Sequence, residues 1–275
     1  MEAYPTLKIV KAVLEEHGLA PKKRLGQNFL IDANIARKSL QLGHIEKADT
    51  VVEIGPGLGA LTQLLLEAGC AVFAVEKDAG LFHYLESMLK QDRLQLMHGD
   101  AMNCPLASCD AAERDFKIVA NLPYAISTPW LDAVLVGQLP SRMVLMLQKE
   151  AADRFMASAG TRYFGPISIF LKAAYNVEAT HTVGSQCFYP KPEVGSVLLS
   201  LKLKDRPIVY PSTIKEGVRT IFRKRRKQIS SILAKETLSE KFQAWLDELV
   251  TGGLSPETRP EAIKEDDWQR LADYY

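Results

Sequence analysis

Between residues 50 and 148 the chain alternates short apolar runs with segments of helical period, and that rhythm leaves few folds open. Residues 50–54, 71–75, 94–98, 116–120 and 142–148 read as strands. They are apolar nearly throughout, as parallel strands covered by helices on both faces are. Residues 60–68, 79–90 and 129–136 read as the helices between them, which predicts an α/β fold with a mainly parallel sheet. Residues 173–181 and 196–203 read as two further strands that bring the sheet to seven and close it with antiparallel pairing. Ahead of this core stand a helix over 7–17, a basic loop over 20–30 and a helix over 31–42. Two prolines in 207–211 mark a boundary between a domain of residues 1–206 and an all-helical one of residues 207–275.

In such a sheet, ligands bind beyond the carboxyl ends of the strands. Val51-Val52-Glu53-Ile54-Gly55-Pro56-Gly57-Leu58-Gly59 runs from a strand into a glycine turn and then a helix. Glycine permits positive φ and close backbone approach, and a helix N-terminus offers free N–H groups. Glu76 follows Gly55 by 21 residues, at the end of the next strand. An acid there can bind both ribose hydroxyls of a nucleoside. Gly99-Asp100-Ala101 follows the strand after that, with Asp100 placed to accept from an adenine amine. Two cofactors compete for this pattern. Dinucleotide enzymes favour G-x-G-x-x-G, whereas the spacing here is G-x-G-x-G. Glu53 would repel a pyrophosphate and suits the cationic amino-acid end of S-adenosylmethionine. The plain alternative is a packing turn flanked by surface acids.

Asn121-Leu122-Pro123-Tyr124 follows another strand. An Asn oxygen accepts hydrogen bonds from an exocyclic amine, and a Tyr ring stacks on a base. Pro123 biases Leu122 towards an extended conformation, which offers its carbonyl as a second acceptor. Alone, these residues read equally well as a turn.

Net charge is +1, but the balance is uneven. From Leu201 to Lys235 there are eleven bases and two acids, and from Glu236 to Tyr275 ten acids and four bases. The densest run, Arg223-Lys224-Arg225-Arg226-Lys227, falls in a segment whose apolar spacing predicts one helix over 212–235. With Lys22-Lys23-Arg24 it makes a candidate nucleic-acid footprint, the alternative being a solvated face. The four cysteines show no CxxC pairing, so thiols and no metal site are expected. No apolar run reaches membrane-spanning length. Met1-Glu2-Ala3-Tyr4-Pro5 lacks the order of a signal peptide, so a cytoplasmic protein is expected.

Taken in order, several of these segments resemble one family. They are Leu25-Gly26-Gln27-Asn28-Phe29-Leu30, the glycine turn, Glu76, Gly99-Asp100, Asn121-Leu122-Pro123-Tyr124 and Phe188-Tyr189-Pro190-Lys191-Pro192. The set is similar to the ribosomal RNA adenine N6,N6-dimethyltransferases, in particular the bacterial small-subunit enzymes. The likeness runs from Pro21 to the C-terminus and takes in Gln148-Lys149-Glu150, the 222–227 segment and Arg259-Pro260-Glu261. It implies a Rossmann-like class I methyltransferase domain with a small all-α C-terminal RNA-binding domain. It implies S-adenosylmethionine as donor, and as target two adjacent adenosines near the 3′ end of 16S rRNA, in the small subunit or its precursor. A monomer is expected. Asn28, Leu30, Gly55, Glu76, Asp100 and Asn121 are then the expected donor contacts, with Gln27, Glu53, Gly57, Gly59, Lys77 and Ala101 beside them. Asn121, Leu122, Pro123 and Tyr124 are the expected catalytic residues. Tyr124 would stack on the target base, and Phe188 would cover its other face or lie in the core. The chain departs from the family at Ala125, where Asn is usual, and at Gly195, where Asp is usual. A large-subunit methyltransferase of the antibiotic-resistance type and a non-catalytic assembly factor are the competing readings. A dinucleotide oxidoreductase fits the glycine spacing least.

Overall fold

In the computed structural model, residues 6–110 and 115–275 are described, so the Met1 to Pro5 segment lies outside the described residues. The chain divides into two units, the first spanning 1–134, 138–152 and 177–203, the second 135–137, 153–176 and 204–275. The second unit therefore includes residues that precede the expected boundary at 207–211.

In chain order the elements up to the end of the sheet are α1 (Leu7–Glu16), β1 (Phe29–Leu30), α2 (Ala33–Leu42), β2 (Thr50–Ile54), α3 (Ala60–Glu67), β3 (Ala71–Glu76), α4 (Ala79–Met88), β4 (Leu94–His98), β5 (Lys117–Asn121), α5 (Ser127–Val134), β6 (Arg142–Gln148), α6 (Lys149–Met156), α7 (Pro166–Ala174), β7 (Tyr175–Val183), β8 (Phe188–Tyr189) and β9 (Ser196–Leu203). The seven-stranded sheet has the order β4-β3-β2-β5-β6-β9-β7. Pairing is parallel from β4 through β6 and antiparallel between β6 and β9, as expected. β5 ends one residue later than the apolar run, which puts Asn121 inside the ladder opposite Met146.

The central strands are buried on both faces. Val51, Val72, Ala74, Val119, Val144 and Met146 join Leu61, Leu65 and Leu66 of α3 in one cluster, and Val52, Phe73, Ile118 and Leu145, which alternate with them along the strands, are buried as well. This explains the unbroken apolar runs, since each fully buried aliphatic side chain contributes about 1.5–3 kcal/mol. Chain order reverses between β2 and β5, and the carboxyl ends of these two strands open the crevice where such sheets bind ligands.

The second unit contains α7 together with α8 (Ser212–Arg223), α9 (Ile229–Leu233), α10 (Glu240–Thr251) and α11 (Glu265–Gln269). Its core is a chain of rings, with Phe164 against Phe222, Phe222 against Trp268, and Trp268 against Trp245 at centroid separations of 5.9, 5.5 and 4.8 Å. The single helix expected over 212–235 is interrupted. α8 stops at Arg223, and residues 224–228 form a turn before α9. Five consecutive cations in one helix would repel at neighbouring turns. In the turn, Lys224 instead reaches Glu236, and Arg225 reaches Glu261 at 2.8 Å.

Candidate active site

Parallel strands share a direction, so the ends of β2, β3, β4 and β5 deliver their following residues to one rim of the sheet. A single cavity there is lined by Gln27, Asn28, Leu30, Glu53, Gly55, Gly57, Glu76, Lys77, Asp100, Ala101, Asn121, Leu122, Pro123 and Tyr124. Arg24 also reaches its wall.

The glycine turn is built by backbone conformations that side chains rarely adopt. Gly55 and Gly57 have φ +66° and +62°. A Cβ at Gly55 would stand in open space, and one at Gly57 would come 3.2 Å from Phe29 Cδ1. The Gly57 N–H donates to Glu76 Oε2 at 3.0 Å, and the Asp78 N–H to Glu76 Oε1 at 2.8 Å. Glu76 is buried, which raises its carboxyl above the usual range, although these bonds pull it back. Each oxygen keeps a lone pair for a further donor. Glu53 is 2% exposed, and its Oε2 has no hydrogen-bond partner among the described residues. Burial pushes its pKa from 4.5 up to about 8. Asp100 is the opposite case. It accepts from Lys77 Nζ at 2.6 Å and from the Met102 N–H at 3.0 Å, and these bonds hold its carboxyl below the usual range.

At the other end, Asn121 Nδ2 donates to the Asn28 carbonyl at 3.1 Å. That bond engages Nδ2 and leaves the Oδ1 acceptor of a cavity-lining residue available. The Leu122 N–H is tied to the Met146 carbonyl at 3.2 Å, which extends the β5–β6 ladder into the loop. Tyr124 is half-buried and its hydroxyl lies 3.1 Å from Ser196 Oγ, while Ser127 Oγ donates to the Tyr124 carbonyl. Ser196 therefore braces the loop where Ala125, exposed, offers no side-chain hydrogen bond. Ser196 faces inward on β9, and nothing local in the sequence marks it.

Other expected site residues are placed elsewhere. Gly59, φ +82°, caps the N-terminus of α3 and does not reach the cavity wall. Phe188 is 3% exposed, pairs with Leu30 across the short β1–β8 sheet, and belongs to the core cluster. Of the two places open to it in the sequence, Phe188 takes the core, and it does not line the cavity. Gln27 borders the cavity, and its amide bonds the Lys22 N–H and Asp78. Lys22 is paired to Asp78 at 2.7 Å rather than free, while Lys23 and Arg24 are exposed. Asp78 was not singled out in the sequence, though an Asp before a helical pattern is a recognisable cap.

In the second unit Arg223 pairs with Glu216 and Lys224 with Glu236. Arg225 is held by the Arg162 and Phe164 carbonyls and by Glu261. Arg226 and Lys227 are exposed and have no partner among the described residues. Among the described residues there is no metal-binding group of His, Cys, Asp or Glu, and no helix long and apolar enough to cross a membrane. None of the four cysteines is joined in a disulfide.

These positions can be set beside known proteins. The family model for ribosomal RNA adenine dimethylase matches residues 18–275. The small-subunit ribosomal RNA methyltransferase A of Opitutus terrae is 51% identical over 265 residues, covering 95% of each chain. Its counterpart from Pelotomaculum thermopropionicum is 34% identical, covering 97% of this chain and 95% of the other. A dimethyladenosine transferase from Plasmodium falciparum superposes with a TM-score of 0.72 at 25% identity, over 88% of this chain and 95% of that one. The 23S rRNA methyltransferase ErmE shares the fold at 20% identity and a TM-score of 0.63, over 90% of this chain and 99% of its own. With a glycine turn, two buried acids and an amide at adjoining strand ends, and a family match over nearly its whole length, the chain belongs to the ribosomal RNA adenine dimethylase family.

Proposed function

We propose that this protein transfers methyl groups from S-adenosylmethionine to the exocyclic N6 of two adjacent adenosines near the 3′ end of 16S rRNA, dimethylating each during small-subunit assembly in the cytoplasm. The observation that carries the reading is the pairing of Asn121 and Glu53 in one cavity. The former has a carbonyl oxygen left for an amine, and the latter a buried carboxylate oxygen left for a cation.

The residues present fit the donor. Glu53 suits an ammonium group, because a cation beside it offsets the cost of a buried charge. Glu76, with a lone pair remaining on each oxygen, suits two ribose hydroxyls. Asp100 and Ala101 border the place for an adenine. When bound, S-adenosylmethionine supplies an electrophilic methyl group on a sulfonium.

The adenine amine is a poor nucleophile because its lone pair is conjugated with the ring. Asn121 Oδ1 and the Leu122 carbonyl accept hydrogen bonds from the amine and favour a more tetrahedral nitrogen, with its lone pair freed. As positive charge builds on that nitrogen both acceptors hold it more strongly, so they act most in the transition state. The extra proton leaves to water, and no dedicated base is required. The Tyr124 ring stacks on the base, which costs a few kcal/mol to unstack from RNA. Lys23, Arg24, Arg226 and Lys227 attract phosphates without reading sequence. The C-terminal helical segment, residues 207–275, is on this reading the RNA-binding part.

The test is transfer of labelled methyl to small subunits lacking the modification, with the modified bases mapped, and with large-subunit rRNA as a parallel substrate. Label confined to large-subunit rRNA, or none on either, overturns the reading. The 51% identity to a protein named for the small subunit supports the small-subunit target over the large.

A further inference from the structure

The structure assigns to Asp78 a role in the donor site: we propose that it is a positioning residue that holds the 22–28 loop closed over the cavity while setting the Glu76 carboxylate. This rests on the donor reading above. Asp78 is 3% exposed, yet it does not line the cavity. Its Oδ1 accepts from Lys22 Nζ at 2.9 Å and from the Gly80 N–H at 3.0 Å. Its Oδ2 accepts from Gln27 Nε2 at 3.0 Å. Gln27 Oε1 in turn accepts from the Lys22 N–H at 2.7 Å, so both ends of the Gln27 amide are engaged and the side chain cross-braces the loop. From the same residue, the Asp78 N–H donates to Glu76 Oε1.

The loop's other end is held at the opposite wall. Asn28 donates its amide to the Gly26 carbonyl and accepts Asn121 Nδ2 on its own carbonyl. The 22–28 segment thus spans from the strand end that carries Glu76 to the strand end that carries Asn121. Asp78 anchors the first side with charge-assisted bonds, which are about twice as strong as neutral ones. Burial works to raise its carboxyl, and the Lys22, Gln27 and Gly80 donors outweigh it, so Asp78 stays ionised.

Asp78 also caps α4 through Gly80, and the substitution Asp78→Asn separates the two roles. Asn caps helices as well as Asp does. It lacks the charge for Lys22, however, and offers one acceptor oxygen instead of two. Isothermal titration with S-adenosylmethionine and with S-adenosylhomocysteine is expected to show about tenfold weaker binding for Asp78→Asn, the size of one lost charge-assisted hydrogen bond. Turnover at saturating donor should stay within about twofold of wild type, because no reacting atom is touched. Hydrogen exchange at the Lys22, Leu25 and Gly26 amides, all donors within the loop, should quicken in the ligand-free variant. Lys22→Met, which leaves the cap intact, should weaken donor binding severalfold and add nothing on top of Asp78→Asn. Wild-type affinity in Asp78→Asn, or reduced turnover with unchanged affinity, overturns the assignment. If Asp78→Asn does not fold, Lys22→Met decides: weaker donor binding supports the role and wild-type affinity overturns it. A wild-type protein that binds no donor overturns the donor reading itself, whereas wild-type binding matched by both variants overturns only the role of Asp78.

Discussion

Replacing Glu53 by Gln tests the donor end of the cavity most directly, because the expected effect has a sign, a size and a pH window. Glu53 is buried without a partner for Oε2, and its carboxyl is raised from 4.5 to about 8. A carboxyl raised in the fold stabilises through its neutral form. That contribution is complete below pH 4.5 and is lost as pH rises through about 8. At about 1.36 kcal/mol per pH unit, the ligand-free wild type should lose about 5 kcal/mol relative to Glu53→Gln over this window. Urea denaturation of both proteins at pH 5 and pH 8 should read about 3.5 kcal/mol of it, because the loss is partial at both ends of that range. Donor binding runs the other way. A cation beside Glu53 requires the ionised form, so binding expels a proton below pH 8. The donor's own amino group loses its proton near pH 8 or just below, on the order of 7.7–8.0. Combining the two fractions, wild-type affinity should rise about twentyfold from pH 6 to pH 8 and then fall. Glu53→Gln should show no such rise. Isothermal titration in two buffers of different ionisation enthalpy measures both the affinity and the proton released. A wild-type affinity that is flat from pH 6 to pH 8, or a rise equally present in Glu53→Gln, refutes the pairing of Glu53 with a cation.

Asn121→Ala should lower kcat by about 10²–10³-fold, the scale of one lost transition-state hydrogen bond, and weaken donor binding slightly because Asn28 loses its anchor; single-turnover methylation and titration separate the two, and a kcat within tenfold of wild type removes Asn121 from the chemistry. Tyr124→Phe keeps the ring and loses the bond to Ser196, so kcat should fall about threefold to tenfold, with Tyr124→Ala far worse; equal losses would mean that stacking contributes nothing. Arg226→Glu combined with Lys227→Glu should weaken rRNA binding and flatten its dependence on salt by about one to two in log–log slope, read by filter binding from 50 to 200 mM salt. Arg225→Glu should instead lower the melting temperature, because Arg225 is bound to the Arg162 and Phe164 carbonyls and to Glu261.

The sequence by itself determined the order of strands and helices through β6, the antiparallel return of β9, and the strand ends that carry Gly55, Glu76, Asp100 and Asn121. Periodicity and glycine placement are local, so each was legible within a dozen residues, and parallel strands deliver their ends to one rim without further information. The 224–228 turn was not legible, because apolar spacing alone continues past it while charge repulsion and distant acids break the helix. Only the tertiary structure decided which polar groups are already spoken for. Lys22 and Gln27 meet Asp78 from 56 and 51 positions away, Tyr124 meets Ser196 across 72, and Asn28 meets Asn121 across 93. Arg225 finds its carbonyl partners 61 and 63 positions away. Phe188 reads in sequence equally as a ring for a base or as a core aromatic, and its pairing with Leu30 buries it. A residue's chemistry is set by its type, but its availability is set by what the fold packs against it, and no local pattern encodes those neighbours.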